Sequence, residues 1–179
     1  MLMSLRILIG FLFLILFTQF QMELSIMEVN IPITGQSFGV LLVPYVLGTK
    51  EGMITILLYL ILGLLGMPIF AEGSSGWASF TSNSGGYLVG FLVGGMFSGC
   101  VSGKFENTIW ASLSAMFFGT FLILLFGVLK LSLTLGLSKA IVYGFNPFIV
   151  GGVIKILLGG IVGWWLKERM LLSEEKGTY

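Results

Sequence analysis

Long apolar runs recur along this chain, and one of them, FIVGGVIKILLGGIVGWW at residues 148–165, holds a single charged residue, Lys155. A helix needs about 20 mostly apolar residues to cross a hydrocarbon core about 30 Å thick. Such runs leave no room for a soluble domain within 179 residues, of which 56% are hydrophobic and 9% are charged. The sequence therefore predicts an integral membrane protein.

Gly, Pro and charged residues divide the apolar sequence into segments of helical length. The predicted transmembrane helices cover residues 5–23, 35–49, 52–69, 85–103, 107–131 and 148–167. We expect one all-α domain over residues 1–179, a bundle of six transmembrane helices with a short cytoplasmic tail at 171–179. The first apolar run lacks the small residues of a signal-peptide cleavage site, so we expect it to remain as a span.

The basic residues predict how the bundle is oriented. One side of the six predicted helices carries Arg6, Lys50, Lys104, Lys167, Arg169 and Lys176. The opposite loops around Glu23 and at 70–84 carry no Lys or Arg, although Lys130 and Lys139 fall on that side. Because cytoplasmic loops are enriched in positive charge, both termini are predicted to be cytoplasmic and the protein to reside in the cytoplasmic membrane.

The chain lacks residues that several classes of function need. It contains no His and no Asp, so the sequence predicts neither a serine triad nor an HExxH zinc site. No phosphate loop of the GxxxxGK[ST] type occurs, and we expect no enzyme activity, no metal and no cofactor. The net charge of +1 without a basic cluster argues against nucleic acid as a partner.

Glycine recurs every four residues in the fourth predicted helix. The two rows are Gly86, Gly90 and Gly94, and then Gly95, Gly99 and Gly103. Small residues at this spacing let helix backbones approach closely in a membrane. The pattern favours close packing inside one bundle, and docking to another subunit is the alternative.

Lys155 lies seven residues after Phe148, which places it about 10 Å below the end of its helix. In one interpretation its stem extends so that the ammonium reaches the headgroups. In the other it faces a cavity inside the bundle, where an anionic partner offsets the cost of a buried cation. No acid lies at a matching depth in another predicted span, so that partner would be a ligand carboxylate.

Two loops are candidates to cover such a cavity. The segment 71–84, AEGSSGWASFTSNS, includes Trp77 and Phe80 and is either a lid with an aromatic contact surface or an interfacial anchor. The segment NIPITGQSF places Gln36 at the start of a short helix. A glutamine is costly in lipid unless it pairs, so a neighbouring helix or a polar ligand must satisfy it. We expect this second helix to lie partly inside the bundle.

Several separated motifs resemble one family. IPITGQSFGVLLVPYVLG, LLYLILGLLGMPIFAEGSSG, SNSGGYLVGF and NPFIVGGVIK occur in the order and at the spacing of BioY, the biotin-capturing S component of energy-coupling-factor vitamin transporters. The resemblance covers about residues 30–165. It implies six transmembrane helices, with biotin bound near the outer surface under the loops after the first and third spans. It also implies a membrane coupling protein and a pair of cytoplasmic ATPases as partners.

The resemblance suggests roles for particular residues. Lys155 matches the lysine of the family motif Pro-Phe-x-Pro-Gly-Asp-x-x-Lys and would receive the valerate carboxylate or brace the site. Asn83 and Tyr87 match the polar and aromatic residues around the Gly-Gly turn, suited to the ureido ring and to packing on the bicycle. Gln36 and Trp77 are further candidates from the facing loops.

The sequence departs from the family pattern in three places. Val150 stands at the second proline of the last motif, and Gly152 stands at its aspartate, so the ligand is either biotin or a different small carboxylated compound. The first span lacks the usual Ala-x-x-x-Ala pattern for the coupling protein and offers Gly10 and Thr18, so docking would either use another face, such as the glycine rows of the fourth helix, or be weaker. A membrane structural protein without a ligand is the alternative from another class.

Overall fold

A computed structural model describes residues 2–26 and 29–176, with side chains for 3–20 and 34–173. The first half contains α1 (Leu2–Gln19), β1 (Gln21–Ile26), β2 (Val29–Thr34), α2 (Gly35–Leu47) and α3 (Thr49–Leu64). A 3₁₀ turn at Ala71–Gly73 leads into α4 (Gly76–Thr81). The second half contains α5 (Gly85–Lys104), α6 (Ile109–Leu135), α7 (Leu137–Gly144) and α8 (Phe148–Lys176).

The predicted spans coincide with α1, α2, α3, α5, α6 and α8. By length and composition, α5, α6 and α8 are long and apolar enough to cross a membrane, and α1 and α2 are shorter apolar helices. The third predicted span extends too far, because α3 ends at Leu64 and Gly66 then adopts a left-handed conformation with φ 103°. The fold is therefore a helical bundle with at least three clear apolar spans.

A short antiparallel hairpin, which was not predicted, joins α1 to α2. Gln21 pairs with Thr34 and Ile26 pairs with Val29. Polar and apolar residues alternate through QMELSI, a period of two that is typical of a strand. The first predicted span therefore runs too far, because the helix ends at Gln19 and residues 21–23 belong to β1.

The second helix lies in the core of the bundle, as expected for a short span that is not wholly in lipid. Its buried residues are Gly35, Gln36, Gly39, Val40, Leu41, Leu42, Val43, Pro44 and Tyr45. Two serines of α5 donate hydrogen bonds to its carbonyl groups: Ser98 Oγ donates to Leu41 O at 2.8 Å and Ser102 Oγ donates to Tyr45 O. These bonds fix α5 against α2.

The glycine rows of α5 pack inside the bundle. A Cβ on Gly90 would lie 2.8 Å from Ile123 Cα of α6, and one on Gly94 would lie 2.7 Å from Gly119 O. On the other row, a Cβ on Gly99 would lie 2.8 Å from Thr49 Cα of α3. The first interpretation of the pattern is confirmed for these glycines, because α3 and α6 already occupy the space beside them. Gly103, at the end of the second row, has no neighbour nearer than Thr49 Oγ1 at 3.9 Å.

The small residues of α1 also face inward. A Cβ on Gly10 would lie 2.9 Å from Leu47 Cδ1, and Thr18 is fully buried. Most of the exposed side chains of α1 are bulky and apolar, including Leu8, Leu12 and Leu16. Neither Gly10 nor Thr18 is therefore available on the outer face of α1.

Candidate ligand cavity

A cavity of about 670 Å³ opens where α2, α5, α6 and α8 meet the connection between α3 and α5. Its apolar lining consists of Phe70, Leu88, Phe91, Ile123, Leu124 and Phe148, among others. Its polar lining includes Thr34, Gln36, Ser37, Glu72, Ser74, Ser75, Ser79, Ser82 and Ser84. The volume lies within the range of roughly 300–1,000 Å³ that small-molecule sites occupy.

The two kinds of lining come from different parts of the chain. The core helices α5 and α6 supply most of the large apolar side chains, whereas residues 71–84 supply most of the hydroxyl groups. Several of these hydroxyls donate to backbone carbonyls of their own segment, including Ser74 Oγ to Ala71 O at 2.8 Å and Ser79 Oγ to Ser75 O at 3.0 Å. Their oxygen lone pairs remain available to accept hydrogen bonds from a ligand.

Gln36 lines the cavity from the first turn of α2 and is 7% exposed. Its Nε2 donates to the Tyr59 hydroxyl at 2.7 Å, and that hydroxyl donates to Ile69 O at 3.1 Å. Thr18 Oγ1 lies 3.2 Å from the same hydroxyl. A neighbouring helix thus satisfies one group of the buried amide, and the Tyr59 hydroxyl connects α1, α2 and the segment before Phe70.

Tyr87 lines the cavity from the first turn of α5. Its hydroxyl donates to Gly144 O at 2.7 Å, and its ring centroid lies 5.8 Å from that of Phe148. A Cβ on Gly127 would overlap the Tyr87 ring, so α6 needs glycine at this point. The ring is therefore fixed between α6, α7 and α8, at a place where it can pack on a flat ligand.

Lys155 reaches the cavity through Ser37. Its Nζ donates to Ser37 Oγ at 3.0 Å, and Ser37 is a lining residue. Its side chain is half-buried and directed towards α2. This geometry corresponds to the interpretation in which the ammonium faces the bundle, and among the described side chains no carboxylate forms a salt bridge with it.

Asn83 and Trp77 lie outside the lining of this cavity. Asn83 is exposed, and its Oδ1 accepts a bond from Thr134 Oγ1 at 3.2 Å. Trp77 is 68% exposed and stacks on Phe80 with ring centroids 6.3 Å apart. Phe80 in turn packs against the lining residue Phe70, so the Phe80 ring lies between Trp77 and that part of the cavity wall.

A family model described as the BioY family matches residues 2–171 of this chain. The chain belongs to the BioY family. The match covers every described helix at least in part. The resemblance inferred from the separated motifs is therefore confirmed.

Curated relatives carry the same family name. The chain is 37% identical over 84 residues to a biotin transporter BioY of Rhizobium etli. This matched segment covers 47% of this chain and 45% of the relative. It is 39% identical over 80 residues to a biotin transporter BioY of Thermotoga maritima, covering 45% and 47% of the two chains. The matched segments thus span about half the length of the curated relatives.

A solved structure has the same fold. The chain superposes with a TM-score of 0.78 on a 2.1 Å crystal structure of the S-component for biotin from an ECF-type ABC transporter, at 24% sequence identity. The superposition covers 93% of this chain and 90% of that chain. The helical arrangement of this BioY-family chain is therefore one already seen in a crystal.

Sequence reasoning missed two residues that shape the site. Tyr59 lies within an apolar run, where a tyrosine that organises a site looks like any core tyrosine. Glu72 lies in a Gly- and Ser-rich loop, where an acid looks like a solvated side chain. Glu72 does lie in one of the family motifs, within PIFAEGSSG, and that motif could have pointed to it. In this BioY-family chain the segment forms one wall of the cavity.

Proposed function

We propose that this BioY-family chain is the membrane subunit that captures biotin at the outer face of the cytoplasmic membrane, for uptake driven by partner ATPases. The observation that carries the proposal is the cavity of about 670 Å³, which has an apolar interior and a lysine that reaches its edge through Ser37. Biotin combines an apolar chain and bicycle with a terminal carboxylate and a ureido group. Each part has a counterpart in the lining or, for the carboxylate, in Lys155 behind the lining residue Ser37.

In this proposal Lys155 receives the carboxylate of the ligand. The ammonium lies within the apolar part of α8, where a cation is costly without an anionic partner. Tyr87 packs on the bicycle of the ligand. Gln36 faces the ureido group with its side-chain oxygen, because its Nε2 already donates to Tyr59. Asn83 and Trp77 then contribute only when residues 71–84 close over the ligand, because in this structure they lie outside the lining.

We further propose six transmembrane helices with both termini in the cytoplasm. The basic residues Arg6, Lys50, Lys104 and Lys167 support this orientation, since they fall at one end of the alternating helices. The cavity then opens at the opposite end, towards the outside. A membrane coupling protein and a cytoplasmic ATPase pair are the proposed partners, and they supply the energy for release inside.

Titration calorimetry of biotin into the purified, biotin-stripped protein in detergent tests the proposal. We expect saturable binding by the wild type and strong loss of binding in Lys155→Met, which keeps an apolar stem and removes the charge. Lys139→Met is the matched control, because Lys139 is exposed on α7 and does not line the cavity. Absence of heat from folded wild-type protein would overturn the assignment to biotin.

A second candidate is an S component for another small carboxylated compound. The observation that favours it is Gly152, which leaves α8 without a side chain one turn before Lys155. A Cβ at Gly152 would have only Thr120 Cγ2 nearby, at 3.8 Å, so the space is open to part of a different ligand. A screen of carboxylated compounds by thermal stabilisation separates the candidates, because a ligand specific for the folded state raises the melting temperature.

A further inference from the structure

Glu72 has an unusual backbone conformation. Its φ is 59° and its ψ is 25°, and among the described residues it is the only one other than glycine with a positive φ. Side chains with a Cβ rarely adopt this left-handed region, whereas glycine enters it without strain. The backbone conformation of this turn therefore favours glycine and does not explain the presence of a glutamate.

The turn around Glu72 is held by hydrogen bonds. Gly73 N donates to Phe70 O at 3.1 Å, and Ser74 N donates to Ala71 O at 3.1 Å. Phe70 N donates back to Ser74 O at 3.1 Å, which closes the segment into a compact loop. Strain of this kind persists where the surrounding structure holds it, and it clusters at functional sites.

The Glu72 side chain also has a distinct chemical place in the cavity. It is the only acidic residue among the described side chains that line it. The remaining polar lining is hydroxyl groups and the Gln36 amide, all of them neutral. The α3–α4 connection therefore supplies an anion to the lining, and the ammonium of Lys155 on α8 contacts the lining residue Ser37.

We infer that Glu72 is a specificity-determining residue whose carboxylate accepts a hydrogen bond from an N–H group of the ligand. A ligand with a carboxylate at one end and N–H donors at the other matches a site with Lys155 on one element and Glu72 on another. The ureido N–H groups of biotin are donors of this type, and the inference rests on the proposed function. Hydrogen bonds to a charged acceptor are stronger than those to a neutral one.

The first test compares biotin binding by calorimetry in wild type and Glu72→Gly, using the full chain in detergent. The variant removes the carboxylate and also the backbone strain at this position. We therefore expect its melting temperature without ligand to equal or exceed that of the wild type. We expect its dissociation constant for biotin to rise about 10-fold, the lower range for a charge-assisted bond. Glu106→Gly is the matched control, because Glu106 is exposed between α5 and α6 and lines a different groove.

The second test uses a biotin analogue methylated on a ureido nitrogen. If Glu72 accepts a hydrogen bond from that N–H, the wild type binds the analogue more weakly than biotin. Glu72→Gly, which already lacks the acceptor, then binds the analogue and biotin with similar affinity. A purely structural role would instead weaken the binding of biotin and of the analogue by the same factor. This result, or unchanged biotin affinity in Glu72→Gly, would overturn the inference alone. A folded wild type that gives no heat with biotin would overturn the proposed function and the inference with it.

Discussion

The side-chain amide of Gln36 donates to the hydroxyl of Tyr59 across a distance of 2.7 Å, between the first turn of α2 and the middle of α3. Both residues are buried, and the same hydroxyl holds the backbone of Ile69 at 3.1 Å. Ile69 precedes Phe70, which forms part of the cavity wall. One hydroxyl group therefore positions a lining side chain and a lining segment at once.

The first prediction is that Tyr59→Phe lowers both stability and affinity. Removing the hydroxyl leaves the Gln36 Nε2 and the Ile69 carbonyl without this partner in a buried place, which costs about 1–3 kcal/mol. Thermal unfolding in detergent measures the loss of stability, and biotin calorimetry measures the loss of affinity. Tyr143→Phe is the control, because Tyr143 is 63% exposed and its change should alter neither quantity. Wild-type stability in Tyr59→Phe would contradict the role of this hydroxyl.

The second prediction separates stability from function at Lys155. Its half-buried ammonium bonds only a neutral hydroxyl among the described side chains, so replacing it with Met should leave the ligand-free protein as stable or more stable. The same change should abolish the preference for biotin over biotin amide. Melting temperatures without ligand, and dissociation constants for the two compounds, measure the two effects. A Lys155→Met protein that still prefers the carboxylate would show that another group receives it.

How far the sequence predicts this structure differs between its parts. The helices were predictable because each apolar run must satisfy its backbone internally within a membrane. The glycine spacing of α5 predicted close packing, but the partners Ile123 and Thr49 follow from the tertiary arrangement alone. The hairpin was missed although QMELSI alternates with a period of two, because the run was interpreted as the end of a span.

The candidate site was less predictable than the fold. Gln36 and Tyr87 lie in quoted motifs and line the cavity, and Lys155 reaches it through Ser37. Asn83 and Trp77 lie in the same loop segment but point elsewhere in this structure, since loop side chains follow no periodicity that a sequence reveals. Tyr59 is 23 residues from its partner Gln36, and nothing in an apolar helix marks that contact in advance.

The third prediction concerns the glycine rows. Gly90→Ala should destabilise the bundle by about 1–3 kcal/mol, because the added methyl group would meet the backbone of Ile123 at 2.8 Å. Gly103→Ala is a matched control in the same helix, since its nearest neighbour is Thr49 Oγ1 at 3.9 Å. The control should be neutral or slightly stabilising, because alanine is the better helix former. Equal melting temperatures for the two variants would contradict the packing of α5 on α6.

The last prediction concerns a polar cluster at the opposite end of the bundle from the cavity. Asn107 accepts a bond from the Tyr45 hydroxyl at 3.2 Å, and its Nδ2 donates to Trp164 O and to Glu168 Oε2, each at 3.2 Å. This one side chain connects α2 and α8 through the α5–α6 connection. Asn107→Ala should therefore lower the melting temperature, by an amount corresponding to about 1–2 kcal/mol, and leave biotin affinity unchanged.

Asn83→Ala is the control for this change, since it removes the same amide from an exposed position where Oδ1 has one bond to Thr134. It should alter the melting temperature little. Its effect on biotin affinity also tests the role proposed for Asn83, because a loss of affinity requires the segment 71–84 to bring that amide over the ligand. If Asn107→Ala instead weakens biotin binding while Asn83→Ala does not, the two ends of the bundle are coupled, and the arrangement of α2 and α8 near Asn107 influences the cavity at the opposite end.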